Sequence, residues 1–593
     1  MLTLSLILNL SLSLASQTAP AYELRSATLL EQQKKFDEAN KAYQDLYQRY
    51  PDDSDVFKGL CRTYLSLEKY EQVSSLLQKR LEKEPKNREL WYSLSECFVR
   101  MGDKAKALSA AQRFINLALE GFSPEANYQR IGRLFSFQGM YKEAIKIYLL
   151  VREQKKEKTI FARELADLHQ REENYQKAIE EYLNVLEKEP AQFAWVEQKI
   201  FHEKEIIGFP QVEKILRREV SEKPKIEKYR RILADLYVKE KEFDKALKEY
   251  EIIEDIIGET PTSGPGRTKG LFYLQFAEVC QNEGSFLAAA EAYQKYIKNY
   301  PKDVFIIKAK LGLGIVYHKW GKTTEAIKTF ENLLSEYPRA KEISAVLFNL
   351  GEIYLETLNK PKEAGEFYQR ILQKYLYSLE AEEARFRLGE CFLRRNDLEK
   401  AIDVYQEASP RSWEKTRFQI AECHFYQGKF DEAGKVYQEI VEKFPQGTFV
   451  NDALSRLLLI RENKDQNELL ERYAKAELKG RQKQFDEAIT DYREIMKNSP
   501  TSSLTVETQF ATASLLKEKG EYPRAMEAFK ELCDKFPDSR LAPLAKKEIA
   551  QIYLVNLQKK DKAKIELEEL ILKYPQSIVC EEARQMLSEL QRK

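Results

Sequence analysis

Glycine and proline are scarce, 22 and 19 in a chain of 593 residues, and that scarcity leaves room for long uninterrupted helices. There are seven cysteines, an odd number widely spaced and without a C-x-x-C pair, so no disulfide framework is implied. The four histidines are too scattered to suggest a metal cluster. Charge of one sign is missing as well: Lys+Arg 96 stand against Asp+Glu 95, a net charge of +1. Binding to phosphate backbones needs a basic excess, so nucleic acid is excluded as the main partner. After residue 22 no stretch approaches the ~20 apolar residues of a membrane span. There is no Gly-rich phosphate loop, no G-x-S-x-G and no H-E-x-x-H. No enzyme activity, cofactor or metal is therefore expected.

What is present begins with an uncharged apolar run. Leu2, Leu4, Leu6, Ile7, Leu8, Leu10, Leu12 and Leu14 are followed by Ser13-Leu14-Ala15 and Ala19-Pro20-Ala21, each like an A-x-A cleavage site. Residues 1–21 read as a secretory signal peptide, although no Lys or Arg precedes the run. An uncleaved segment that anchors the chain, or one in a cytosolic protein, is the alternative. This segment is also the one route to membrane association.

From there the chain is organised by Phe-Asp-Glu-Ala, at Phe36–Ala39, Phe430–Ala433 and Phe485–Ala488, with looser copies such as Tyr141–Ala144, Phe243–Ala246 and Tyr522–Ala525. The markers run Ala39, Val73, Ala107, Ala144, Ala178, Val212, Ala246, Ala289, Ala326, Ala364, Ala401, Ala433, Ala488, Ala525 and Ala563. Twelve residues before most of them stands a small residue, as Ala27, Gly132, Gly314, Gly389 and Ala421. In two repeats the small residue, Gly351 or Ala550, is displaced by one. Twelve residues after the marker proline recurs, as Pro51, Pro190, Pro301, Pro445 and Pro575. Two antiparallel helices approach closely where both carry small residues, and proline ends the second helix. On this reading the small residue of the first helix meets the alanine of the second, and rings such as Phe430 and Tyr437 fill the space around them. One hairpin cannot bury both faces, so neighbours must stack.

Small residue, alanine and proline at these offsets, with a 34-residue period, resemble the tetratricopeptide repeat; Trp91 is a partial match to its usual tryptophan. The resemblance implies an all-α, right-handed superhelical solenoid of about fifteen helix hairpins that binds proteins or peptides on its concave face. Joints such as Phe536-Pro537-Asp538-Ser539 and Tyr574-Pro575-Gln576-Ser577, and the segment Leu388-Gly389-Glu390-Cys391-Phe392, resemble those of bacterial envelope repeat proteins. Examples are the repeat lipoprotein of the outer-membrane β-barrel assembly machine and the coordinator of the Tol-Pal system. This chain has no lipid-acceptor cysteine near its start and has many more repeats than that lipoprotein. The resemblance implies a non-catalytic scaffold in the periplasm or cell envelope.

The spacing divides the array. Residues 22–257 keep mostly a 34-residue period, and residues 271–593 mostly 37 or 38. Between them residues 258–270, with Pro261, Gly264, Pro265 and Gly266, read as a loop or a hinge. The extra residues of the later period fall after the proline, so they should lengthen the loop or the first helix. A second irregularity spans residues 449–482, where the step of 55 residues leaves one helix without a place in the hairpin frame.

The frame also nominates a binding face. Four consecutive repeats pair an aromatic with a carboxylate one turn later, Phe348 with Glu352, Phe386 with Glu390, Phe418 with Glu422 and Tyr473 with Glu477, and Phe510 continues the aromatic column. An open apolar, acidic groove would suit a partner segment with basic and apolar side chains, and charge reversal at Glu390 and Glu422 should then spare the fold. Alternatively, the rings pack between helices and Glu390–Arg394 and Glu477–Arg481 are local ion pairs.

Overall fold

The computed structural model describes residues 18–118, 124–259, 270–409, 412–498 and 504–592. The apolar run of residues 2–14, most of the proposed loop 258–270 and Pro500 lie outside the described residues. Among the described residues all regular structure is helical, from Ala21–Gln32 to Val579–Arg592. The chain forms two compact units, residues 1–269 and 270–593. Within each unit consecutive helices pack into hairpins, and a first helix also touches the next first helix, as Arg88–Arg100 does with Pro124–Phe137 and Leu504–Glu518 with Leu541–Gln551.

The marker residues are the innermost of the fold: Ala39, Ala144, Ala246, Ala326, Ala433 and Ala563 are all fully enclosed. The expected meeting of small residue with alanine is refined. The group nearest each glycine is the ring four residues after the marker. A Cβ built on Gly132 would lie 2.2 Å from Tyr148, on Gly314 2.3 Å from Phe330, and on Gly389 2.3 Å from Tyr405. The first helix is bare at these glycines because an aromatic ring occupies the space a Cβ would need.

The turn inside the hairpin has a rule that leaves little trace in sequence. Five residues before the marker the backbone is left-handed, at Gly102, Gly428 and Gly520 but also at Lys34, Glu68, Asn396 and Lys483. The next N–H then donates back to the first helix, Lys35 to Leu30, Asp103 to Phe98 and Lys429 to His424. This pattern satisfies carbonyls that a helix end leaves open. The second helix stops at a residue that leaves the helical region, such as Tyr50 (φ −133°, ψ 66°) or Phe444 (φ −129°, ψ 61°), because the following proline disfavours helical geometry before it.

The longer period of the second unit is now accounted for. The joints Tyr50–Asp53 and Glu84–Asn87 have four residues, whereas Tyr300–Phe305 and Tyr375–Glu380 have six. First helices grow from 13 residues in Ser54–Ser66 to 14 in Ala381–Arg394. Two loop residues and one helical residue turn 34 into 37. The 38-residue steps are those of the displaced Gly351 and Ala550, and in both the first helix ends in a π-helical turn, Ile353–Thr357 and Ile552–Asn556. One inserted residue widens the closing hydrogen bond, so that Lys360 donates to Tyr354 and Lys559 to Tyr553.

The irregularity at 449–482 is a supernumerary helix, Val450–Glu462. It packs on Phe430–Lys443, while Asn467–Arg481 reaches past it to Trp413–Tyr426, the contact that first helices make with one another.

Candidate functional site

The aromatic column of the second unit faces inward. Each ring meets the ring that follows the marker of its own hairpin: Phe348 with Tyr368 at 5.8 Å between centroids, Phe386 with Tyr405 at 5.6 Å, Phe418 with Tyr437 at 5.7 Å, Tyr473 with Tyr492 at 5.5 Å and Phe510 with Phe529 at 5.4 Å. These tilted and edge-on pairs are hairpin packing. Phe418 and Tyr473 are buried, and Phe418 also stacks on Phe449 at 5.1 Å. Phe348, Phe386 and Phe510 are half-buried, and the Lys415 ammonium stands 3.4 Å from the Phe386 ring centroid. The rings of the column are therefore engaged within their own hairpins, two buried and three half-buried.

The carboxylates sit one turn on, above the same tyrosines, and each has a cation of this chain. Glu352 accepts from the Tyr368 hydroxyl at 2.6 Å and from Arg387 at 3.0 Å. Glu390 is buried between Arg394 at 3.1 Å and Arg481 at 2.7 Å. Glu422, 3% exposed, takes Arg456 Nε and Nη2 on its two oxygens at 2.7 Å each, and also accepts from the Tyr426 and Tyr437 hydroxyls. Glu477 accepts from Arg456 Nη1 at 2.9 Å. The local pair Glu390–Arg394 forms; Arg481, placed beside Glu477 by spacing, reaches Glu390 instead. Burial pushes the Glu390 and Glu422 carboxyls up, but the guanidiniums outweigh it and hold both below the usual range. Their interior position also overturns the expectation that reversing their charge would spare the fold.

Arg456 comes from the supernumerary helix, so no repeat offset could have nominated it. Two more ties cross a long stretch of sequence: Lys483 donates to the Glu356 carbonyl at 2.8 Å and its carboxylate at 3.2 Å, and Arg481 meets Glu390. They draw the start of Phe485–Asn498 back to the π-turn after Ile343–Glu352. Beside these ties opens a cleft of about 420 Å³ whose lining includes Glu390, Tyr473, Glu477, Phe510, Ser514 and Glu518 together with the cations Arg394, Arg481 and Lys483. Phe348, Glu352, Phe386, Phe418 and Glu422 do not line it. Glu518, one turn beyond Ser514, was missed by the column reading. It is exposed and makes no hydrogen bond or ion pair among the described residues. The cleft walls strip part of its hydration and raise its pKa in spite of Arg481 and Lys483 nearby.

Models of the tetratricopeptide repeat match residues 30–94, 311–375 and 473–540, and 548–577. A model of the anaphase-promoting complex, cyclosome, subunit 3 matches residues 359–440. The chain thus carries tetratricopeptide repeats in both units. No curated protein matches it by sequence. Among solved structures it is similar to Naa15/Naa10 bound to HypK-THB, with 16% identity, a TM-score of 0.27 and coverage of 86% of this chain and 67% of that one. It is also similar to the MamA protein (19% identity, TM-score 0.23, 29% and 92% covered). A tetratricopeptide repeat protein from Parabacteroides merdae ATCC 43184 shares 14% identity, with a TM-score of 0.23 and 54% and 98% covered.

Proposed function

We propose that this protein is a non-catalytic scaffold that holds a segment of a partner protein along the first-helix face of its second unit. Stacked repeats of this type build extended surfaces and leave chemistry to what they bind. One observation carries the reading: the other carboxylates lining the 420 Å³ cleft form ion pairs with cations of this chain, whereas Glu518, near Arg481 and Lys483, forms none among the described residues and shares the cleft with the half-buried Phe510 ring. A partner offering a Lys or Arg next to an apolar side chain complements both. The apolar start and the envelope-type joints support export to a bacterial periplasm or cell envelope as the setting.

The test is site-specific photocrosslinking from position 514 in the native host, in the parent chain and in Glu518→Lys and Phe510→Ala variants. A discrete crosslinked partner, lost in both variants, is the expected result. A crosslinking pattern the variants leave unchanged refutes the cleft as the site. Mass analysis of the mature amino terminus tests export, and a soluble chain that retains Met1 contradicts it.

A further inference from the structure

The supernumerary helix Val450–Glu462 has two faces with different duties. Its inner face supplies Val450, Ala453 and Leu459 to the core, and Arg456 to the Glu422–Glu477 pair. Its outer face carries Leu454 and Leu458, one turn apart and 41% and 43% exposed. Regular hairpins of this array cover such a stripe with the next helix; here Asn467–Arg481 passes by to pack on Trp413–Tyr426.

The stripe is one wall of a cleft of about 1010 Å³. The opposite wall is built by the last two joints, with Pro537, Pro575 and Ile578, the last 80% exposed, and by Leu544 of Leu541–Gln551. Two of the three cations in this wall are paired, Arg540 with Glu507 at 2.5 Å and Lys547 with Glu582 at 2.8 Å; Lys573 forms no ion pair among the described residues and stands 5.5 Å from the Tyr574 ring centroid. The anions are not. Asp452 on the helix and Asp538 on the joint both line the cleft, and neither forms an ion pair among the described residues. The Tyr574 hydroxyl, also in the wall, has no hydrogen-bond partner among them. Partial burial and the charge of Glu422 raise the Asp452 pKa, so a cation brought close to it would be well received.

We propose that this cleft is a second docking site, distinct from the first-helix face, and that its occupant is an amphipathic helix of a partner protein whose apolar stripe is flanked by Lys or Arg. The Leu454–Leu458 ridge at i and i+4 is the feature a helix packs against, and the unmatched aspartates on both walls select the flanking charge.

The probe is a fluorescently labelled helical peptide of leucine and lysine, with leucine–glutamate and serine–lysine counterparts, read by anisotropy on the full chain. The leucine–lysine peptide should bind at least about tenfold more tightly than either counterpart. Leu454→Ser/Leu458→Ser should weaken it about tenfold or more, and Asp452→Asn/Asp538→Asn should abolish the preference for lysine over glutamate. All four side chains are at the surface, and thermal melts of the variants should match the parent. Binding that ignores both double variants, or no binding by any peptide, overturns the proposal. So does a concentration-dependent dimer that Leu454→Ser/Leu458→Ser dissolves, which would make the occupant a second copy of this chain.

Discussion

Replacing Arg456 with methionine removes one side chain and strands two carboxylates. Arg456 is 14% exposed, Glu422 3% and Glu477 24%. In the parent the guanidinium forks onto both Glu422 oxygens and reaches Glu477, so its removal leaves Glu422 with two tyrosine hydroxyls as its remaining hydrogen-bond partners. Stranding a buried charge in this way costs about 3–5 kcal/mol. Glu477 keeps contact with water, which places the expected cost near the lower end, about 3 kcal/mol. Long repeat arrays open locally, so the readout is hydrogen exchange in Trp413–Tyr426, Val450–Glu462 and Asn467–Arg481 rather than a global melt. At 1.4 kcal/mol per tenfold, exchange through local opening should quicken by about two orders of magnitude.

Adding Glu422→Gln removes the stranded charge and should recover most of the loss, giving a coupling of several kcal/mol. Acid supplies the sign test. In the parent the Glu422 carboxyl is depressed, so its contribution is complete above the unfolded value near 4.3 and is lost as pH falls through the folded one. Without Arg456 burial dominates, the pKa rises, and the variant's deficit shrinks as Glu422 takes up a proton. Parent and variant should therefore converge at low pH. Unchanged protection in all three helices, or no rescue by Glu422→Gln, would show that the pair is solvated and the reasoning wrong.

Other substitutions probe the hairpin frame by thermal melts and local exchange. Gly389→Ala drives a methyl into the Tyr405 ring and should cost about 1–3 kcal/mol, whereas Gly434→Ala, whose nearest neighbour is Leu457 at 4.0 Å, should stabilise by about 0.5–1 kcal/mol. Tyr437→Phe loses a hydrogen bond to an ionised carboxylate and should cost about 1.5–3 kcal/mol. Tyr405→Phe should stay within about 0.5 kcal/mol, because the buried Tyr405 hydroxyl has no partner among the described residues. Burial pushes the thiols of Cys61, Cys280, Cys391 and Cys423 up to about 12, so iodoacetamide should label them slowly in the native chain and quickly after denaturation.

What was legible in the sequence is what repeats. The alanine column, the small residue before it and the proline after it recur because every hairpin solves the same packing problem, and recurrence is visible without coordinates. Even the one-residue displacement of Gly351 and Ala550 was on view; it marked the two π-turns. The left-handed turn residue was not, because Lys34, Glu68 and Lys483 carry no sign of their backbone angle, and only the glycine cases could hint at it. Nor could the columns say which way their side chains face. A phenylalanine on a first helix serves a groove or a hairpin core equally well at the level of spacing, and the deciding partner, the tyrosine four residues past the marker, belongs to the other helix.

The rest of the site was illegible for a stricter reason. A repeat frame predicts contacts at fixed offsets, and the chemistry of the second unit depends on residues outside those offsets. Arg456 lies on a helix with no position in the frame. Glu390 finds Arg481 across 91 residues, and Glu356 finds Lys483 across 127. Both ties start from the hairpin that directly follows the supernumerary helix. The insertion leaves Leu454 and Leu458 without the covering helix that the regular array would have supplied. The inserted helix thus supplies the internal partner that buries Glu422, and its outer face forms one wall of the apolar cleft. In an array this uniform, function is to be sought first where the period breaks, since there the packing partners that the repeat would supply are missing.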